Sequence, residues 1–165
     1  LTRGSDEFVE LSERARLASQ VGADLFISLH FNAFASSRVH GVETYIMTPQ
    51  GQPSTSAAKV TSGARRRYRG NANDPWNALV GYYVHRSLVS DLDAADRGLR
   101  RARFQVLREI TCPGLLVEGG FVSNPAEGRR IASSGYRADL ARSILSGVLD
   151  YQKALNRVRS KPGSR

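Results

Sequence analysis

Two short apolar runs, each ending on ionisable or amide side chains, organise the hydrophobic pattern of the chain. The first, Leu25-Phe26-Ile27-Ser28-Leu29, follows Gly22 and leads into His30 and Asn32. Its length and its bounding polar residues predict a strand buried on both faces, inside a sheet. Alternation along an extended backbone puts His30 and Asn32 on the same side. The second run, Leu115-Leu116-Val117, ends on Glu118 and is followed by Gly119-Gly120, which let the backbone turn closely around that carboxylate. A carboxylate at the end of a buried strand is costly unless it is paired, next to a metal or catalytic. Open α/β sheets bind ligands just outside the carboxyl ends of their strands. His30, Asn32 and Glu118 are therefore candidate site residues, although taken singly a histidine could cap a strand and a glutamate could bond backbone amides.

The remaining pattern alternates helices and strands. Leu11, Ala15, Ala18 and Val21 recur at helical spacing, with Ser12 as N-cap and Gly22 as the stop, after a polar segment that reads as the tail of a strand and a loop. Val42, Thr44 and Ile46 alternate with Glu43, Tyr45 and Met47, which predicts a strand. Part of 52–69 reads as a helix. Arg65, Arg66 and Arg67 would diverge around it and read as a solvated surface. Residues 70–75 are turn-rich. Leu79, Val80, Tyr83, Val84 and Leu88 form the stripe of a packed helix over 76–89, with His85 at its rim. Phe104 and Val106 alternate in a stretch, 98–107, that reads as a strand or extended arm. Asn124-Pro125-Ala126-Glu127 starts a helix, and a final helix is expected from about Tyr136 to Asn156. The pattern predicts an α/β sandwich of helices around a mixed β-sheet, one domain over 1–156, followed by a basic flexible tail at 157–165.

Composition narrows the partners. The 165 residues carry 24 Lys and Arg against 15 Asp and Glu, a formal charge of +9 that calls for an anionic partner or surface. No helix-turn-helix, zinc-finger spacing or RNA-binding aromatic signature accompanies that charge, so nucleic acid is not the expected partner. Cys112 is the single cysteine, which excludes an internal disulfide and a thiolate zinc site. No run has the length of a membrane span, and no charged leader opens the chain. Leu1 does not read as a natural start, and an upstream part is expected to be missing.

Four strings occur in one order: Ser28-Leu29-His30-Phe31-Asn32-Ala33, Gly41-Val42-Glu43-Thr44-Tyr45, Arg101-Ala102-Arg103-Phe104-Gln105-Val106-Leu107, and Leu116-Val117-Glu118-Gly119-Gly120-Phe121-Val122-Ser123-Asn124. Together with Arg3, Asp6, Leu11 and Arg14 they resemble the motifs of the zinc-dependent N-acetylmuramoyl-L-alanine amidases of the Amidase_3 type, over most of 1–153. The resemblance implies a phosphorylase/hydrolase-like fold, with peptidoglycan as partner and a periplasmic or extracellular location. It implies cleavage of the amide between the lactyl group of N-acetylmuramic acid and L-alanine. His30 would be a zinc ligand, Glu118 the proton-transfer group, and Asn32 and Arg101 substrate contacts. Zinc with an open position lowers the pKa of a bound water to about 7 and polarises a carbonyl, which suits amide hydrolysis.

One departure stands out. The family's other two ligands, a histidine in a PGHGG-like motif and a glutamate after it, precede the first matched segment and do not occur in this chain. Nothing in the spacing of His40, His85 or Glu43 supports them as substitutes. The leading reading is the larger C-terminal part of an amidase catalytic domain, without its N-terminal strand and metal-ligand segment. The alternatives are a non-catalytic peptidoglycan-binding module with an incomplete metal site, and a general polyanion or nucleic-acid binder indicated by charge alone.

Overall fold

A computed structural model describes residues 1–57, 59–60 and 62–160. Along these residues run α1 (Leu11–Gln20), β1 (Phe26–Asn32), β2 (Val42–Met47), α2 (Asp74–Leu92), β3 (Asp96–Ala102), α3 (Gln105–Glu109), β4 (Gly114–Phe121), α4 (Pro125–Ala132) and α5 (Ser134–Arg159). Short 3₁₀ turns lie at Ser62–Arg65 and Arg69–Asn73. The sheet has the order β1-β4-β2-β3, with β1 parallel to β4, β4 antiparallel to β2, and β2 parallel to β3. This is the expected mixed sheet between helices.

Strand alternation divides the core between the two faces. Val42, Ile46, Leu115 and Val117 bury one face against Val80, Val84 and Leu88 of α2 and Leu140 and Ile144 of α5. Phe26, Met47 and Leu116 bury the other against Ala15 and Ala18 of α1 and Val106 and Leu107 of α3. Because α1 and α3 are short, this second face is covered only at the Phe26, Leu116 and Met47 end.

Several expectations change. The strand carrying His30 is an edge strand rather than an interior one, since among the described residues β4 alone pairs with it, and Leu29 is 52% exposed. Residues 1–10 hold no strand, and the N-cap of α1 is Glu10 without a side-chain cap bond, so Ser12 lies inside the helix. The stretch 98–107 splits into β3 and α3. Phe104 packs edge-on against Tyr45, ring centroids 5.1 Å apart, so its apolar bulk meets the sheet without prolonging a strand. The segment 52–69 forms no α-helix among its described residues. Helix α2 begins earlier than expected, at Asp74. The last helix starts at Ser134, its N-terminus capped by Ser133 Oγ, and continues to Arg159 where a tail was expected from 157; residues 161–165 lie outside the described residues.

His85 is buried rather than at a rim. Its imidazole lies 3.0 Å from Thr44 Oγ1 and 2.9 Å from Asp96 Oδ1, tying α2 to β2 and β3.

The turn after β4 fixes the loop between β1 and β2. Asn124 caps α4 by accepting from the Ala126 and Glu127 amides, and donates its own amide to Ser37 O. Ser123 Oγ accepts from the Phe34 amide, and the Glu127 carboxylate accepts from the amides of Gly41 and Phe121. These bonds hold the end of β1 and the start of β2 against the end of β4.

Candidate active site

His30, Glu118 and Glu43 stand in one row across three adjacent strands. His30 is the register partner of Glu118 in the parallel β1–β4 pair, and Glu118 is the partner of Glu43 in the antiparallel β4–β2 pair. All three share the face of Phe26, Leu116 and Met47, one step past the part that α1 and α3 cover. The site is therefore the uncovered continuation of a packed sheet face.

Two bulges adjust this row. Register slips between His30 and Asn32, where Glu118 is followed by Gly119 and Gly120, so Phe121 rather than Gly120 faces Asn32. Gly120 accommodates the extra residue at φ +130°. On the other side register slips between Val42 and Thr44, with Gly98 at φ +95°. Without this slip Arg97 and Arg100 would leave the sheet on opposite faces. The extra residue puts both on the face of Glu43.

Glu43 is the most heavily bonded group of the row. It is buried, pairs with Arg97 Nε at 2.7 Å and Arg100 at 3.4 Å, and accepts from the Tyr45 hydroxyl at 2.7 Å. Burial and the bond to Glu43 push the Tyr45 pKa up to about 12. Arg97 in turn stacks over the Phe121 ring, 5.1 Å from its centroid.

Glu118 is the opposite case. Its Oε2 is buried with no hydrogen-bond partner among the described residues. Burial, and then the neighbouring Glu43 charge, raise its pKa to about 7. A carboxyl group so poised can take or give a proton near neutral pH. His30 is solvent-accessible, with Nε2 2.9 Å from Ser28 Oγ. Desolvation by the surrounding protein and the Arg14 charge on α1 lower its pKa, which favours the neutral imidazole.

Of the residues singled out from sequence, His30, Asn32 and Glu118 come together. Asn32 donates to Glu43 at 3.5 Å and its Oδ1 accepts from the Ala33 amide. Arg101 does not join them: it is the partner of Ile46, whose side chain lies in the opposite core, and its guanidinium bonds Gln52 Oε1. Arg97 and Arg100, rather than the Arg101 that the resemblance implies, lie beside Glu43 in this row. The signal for them was Gly98 inside a strand, a mark of a bulge.

The α/β sheet thus sets an imidazole beside a carboxyl of raised pKa at an open face. The chain belongs to the N-acetylmuramoyl-L-alanine amidase family Amidase_3, whose pattern matches residues 1–150. It is 31% identical over 148 residues to the sporulation-specific N-acetylmuramoyl-L-alanine amidase of Bacillus subtilis, covering 90% of this chain and 48% of that protein. The chain spans about half the length of the curated relatives it matches. Among solved structures, the N-acetylmuramoyl-L-alanine amidase of Clostridium difficile 630 superposes with a TM-score of 0.72 at 30% identity, over 92% of this chain and 69% of that one. AmiC2 of Nostoc punctiforme gives a TM-score of 0.74 at 29% identity, over 93% and 71%.

Proposed function

We propose that this chain is the larger C-terminal part of the catalytic domain of a peptidoglycan amidase acting at the cell envelope, in the periplasm or outside the cell. The bond cleaved is the amide between the N-acetylmuramic acid lactyl group and L-alanine of the stem peptide. The observation that carries this reading is the register pair of His30 with Glu118 on an open face, in a chain of the amidase family. The position of β1 at the edge of the sheet supports reading 1–156 as the C-terminal part of the catalytic domain.

Glu118 acts as the proton carrier. Ionised, its unpaired oxygen accepts a proton from water as that water adds to the amide carbonyl. Protonated, it returns the proton to the departing L-alanine nitrogen, and a pKa of about 7 suits both directions. Glu43, held by Arg97 and Arg100, stands behind Glu118, and its charge adds to burial in favouring the protonated form of Glu118. Asn32, at the end of β1, contacts the substrate.

The family resemblance implies zinc, which when bound supplies Lewis-acid polarisation of the amide. His30 is the ligand this chain offers. Among the described residues, however, no three His, Cys, Asp or Glu side chains lie together so as to hold a metal ion, and catalytic zinc takes three protein ligands. The described residues do not by themselves make a zinc site, and further ligands would have to come from elsewhere.

The test is incubation of purified sacculi with the full-length polypeptide and mass spectrometry of the soluble products. Release of stem peptides with a free L-alanine amino terminus is expected. Binding to sacculi without release would overturn the enzymatic reading and support a binding module.

A further inference from the structure

A second site lies away from the His30 and Glu118 row. The exposed Arg66, Arg67 and Arg69 and the half-buried Arg108 line one cleft of about 460 Å³, between α1, α3 and the segment that links the two 3₁₀ turns. Tyr68 stands at its centre, with the guanidinium carbons of Arg66 and Arg108 at 5.2 and 5.4 Å from its ring centroid.

The convergence has a local cause. The chain leaves its 3₁₀ turn at Arg65 and is extended at Tyr68, so these arginines do not fan out around a helix. Gly70 then presses against α3: a Cβ at this position would sit 1.9 Å from Leu107 O. Asn71, buried, donates to Thr48 O at 3.0 Å and anchors the segment. Arg66, Arg67 and Arg69 are thereby carried to Arg108.

Their charge is left without a counterpart. Among the lining residues Arg16 is paired, with Glu13, whereas no carboxylate pairs with Arg66, Arg67, Arg69 or Arg108 among the described residues. Glu109 is the one acidic residue of the lining. Arg108 Nε is buried and has no acceptor among the described residues, and a native structure rarely leaves such a donor without a partner.

We infer that this cleft binds the phosphodiester groups of an anionic cell-wall polymer, a linear chain of phosphate-linked polyols. Guanidinium groups match phosphate oxygens in a bidentate fork, and several of them along one cleft suit a repeating charge better than a single anion. Tyr68 already carries two guanidiniums, so the cleft lacks the free aromatic faces on which nucleobases stack. The choice of a wall polymer over another phosphodiester rests on the peptidoglycan reading above. Helix α1 lies at both sites, since Arg14 acts on His30 while Ala15 and Arg16 line the cleft.

The experiment titrates the protein with isolated poly(glycerol phosphate), and separately with duplex DNA and poly-L-glutamate of equal charge. The double variant Arg67→Ser/Arg69→Ser is compared with Arg142→Ser/Lys153→Ser, which removes the same charge from α5. The side chains of Arg67 and Arg69, which line the cleft, make no hydrogen bond or ion pair among the described residues, so the first variant removes no bond that holds the fold. Poly(glycerol phosphate) is expected to bind tightest, with at least a tenfold loss in the cleft variant, a salt slope shallower by about 1–2, and little change in the control. Equal or tighter binding of DNA or polyglutamate, or equal loss in the control, overturns the inference. The titration contains no peptidoglycan, so a failed amidase assay leaves its result readable.

Discussion

Glu43 and Glu118 face one another across the antiparallel β2–β4 pair, the first paired with two guanidiniums and the second with a buried oxygen that has no hydrogen-bond partner among the described residues. The contrast sets the pH response of the metal-free protein. Glu118 has a folded pKa of about 7 against an ordinary value of 4.5, so the folded state holds its proton more tightly. This contribution to stability is full below pH 4.5 and is lost as pH rises through about 7. Relative to Glu118→Gln, the wild type is expected to lose on the order of 1–2 kcal/mol between pH 5 and 8, a figure reduced for partial exposure. Urea denaturation of both proteins across that range checks it. Parallel curves would show that the carboxyl is not perturbed.

Removing the charge of Glu43 leaves Arg97 and Arg100 facing a buried amide. Glu43→Gln is expected to destabilise the fold by about 2–4 kcal/mol, since one partner of a buried ion pair is lost while the others remain. The Glu118 pKa should fall in the same variant, because its like-charged neighbour is gone. Carboxyl carbon chemical shifts followed against pH measure this. An unchanged Glu118 titration would separate the two carboxylates electrostatically.

The bulge at Gly98 makes a cleaner backbone test. Its φ is +95°, yet a Cβ there would meet nothing within 4 Å, so the cost of Gly98→Ala is conformational rather than steric. A loss of about 1–2 kcal/mol is expected by thermal or urea unfolding. A neutral substitution would mean that β3 can pass Glu43 without the bulge, and that the parity of Arg97 and Arg100 does not depend on glycine.

The metal role assigned to His30 has its own readout. In the full-length polypeptide His30→Ala is expected to lower zinc content per chain by elemental analysis, with the circular dichroism of the fold retained. Wild-type stoichiometry in that variant would remove His30 from the ligand set.

The sequence made the centre of the site legible because each half of it is a local signal: an apolar run ending on His30 and another ending on Glu118. Register then joined them, as expected for two strands of one sheet. What escaped is what depends on long-range pairing. Glu43 looks like an ordinary polar position of an alternating strand until Arg97 and Arg100, more than fifty residues away, are turned toward it by a bulge that shifts the parity of β3. The same shift sends Arg101 to the other face. His85 read as a rim residue beside Tyr82 and Arg86, and its burial comes from Thr44 and Asp96 on two neighbouring strands. Phe104 and Val106 alternate like strand residues, yet a short helix buries Val106 while Phe104 meets Tyr45. Single polar residues in a strand carry no mark of which neighbour will claim them.

Turnover of the Glu118→Gln polypeptide on sacculi bears most directly on the catalytic assignment. With full-length protein at neutral pH and zinc content matched to wild type, release of L-alanine-bearing stem peptides should drop by about 10²–10⁴-fold, the range for loss of a general acid–base group. Release within a fewfold of wild type would show that the proton is carried by some other group, and the pairing of His30 with Glu118 would then be structural.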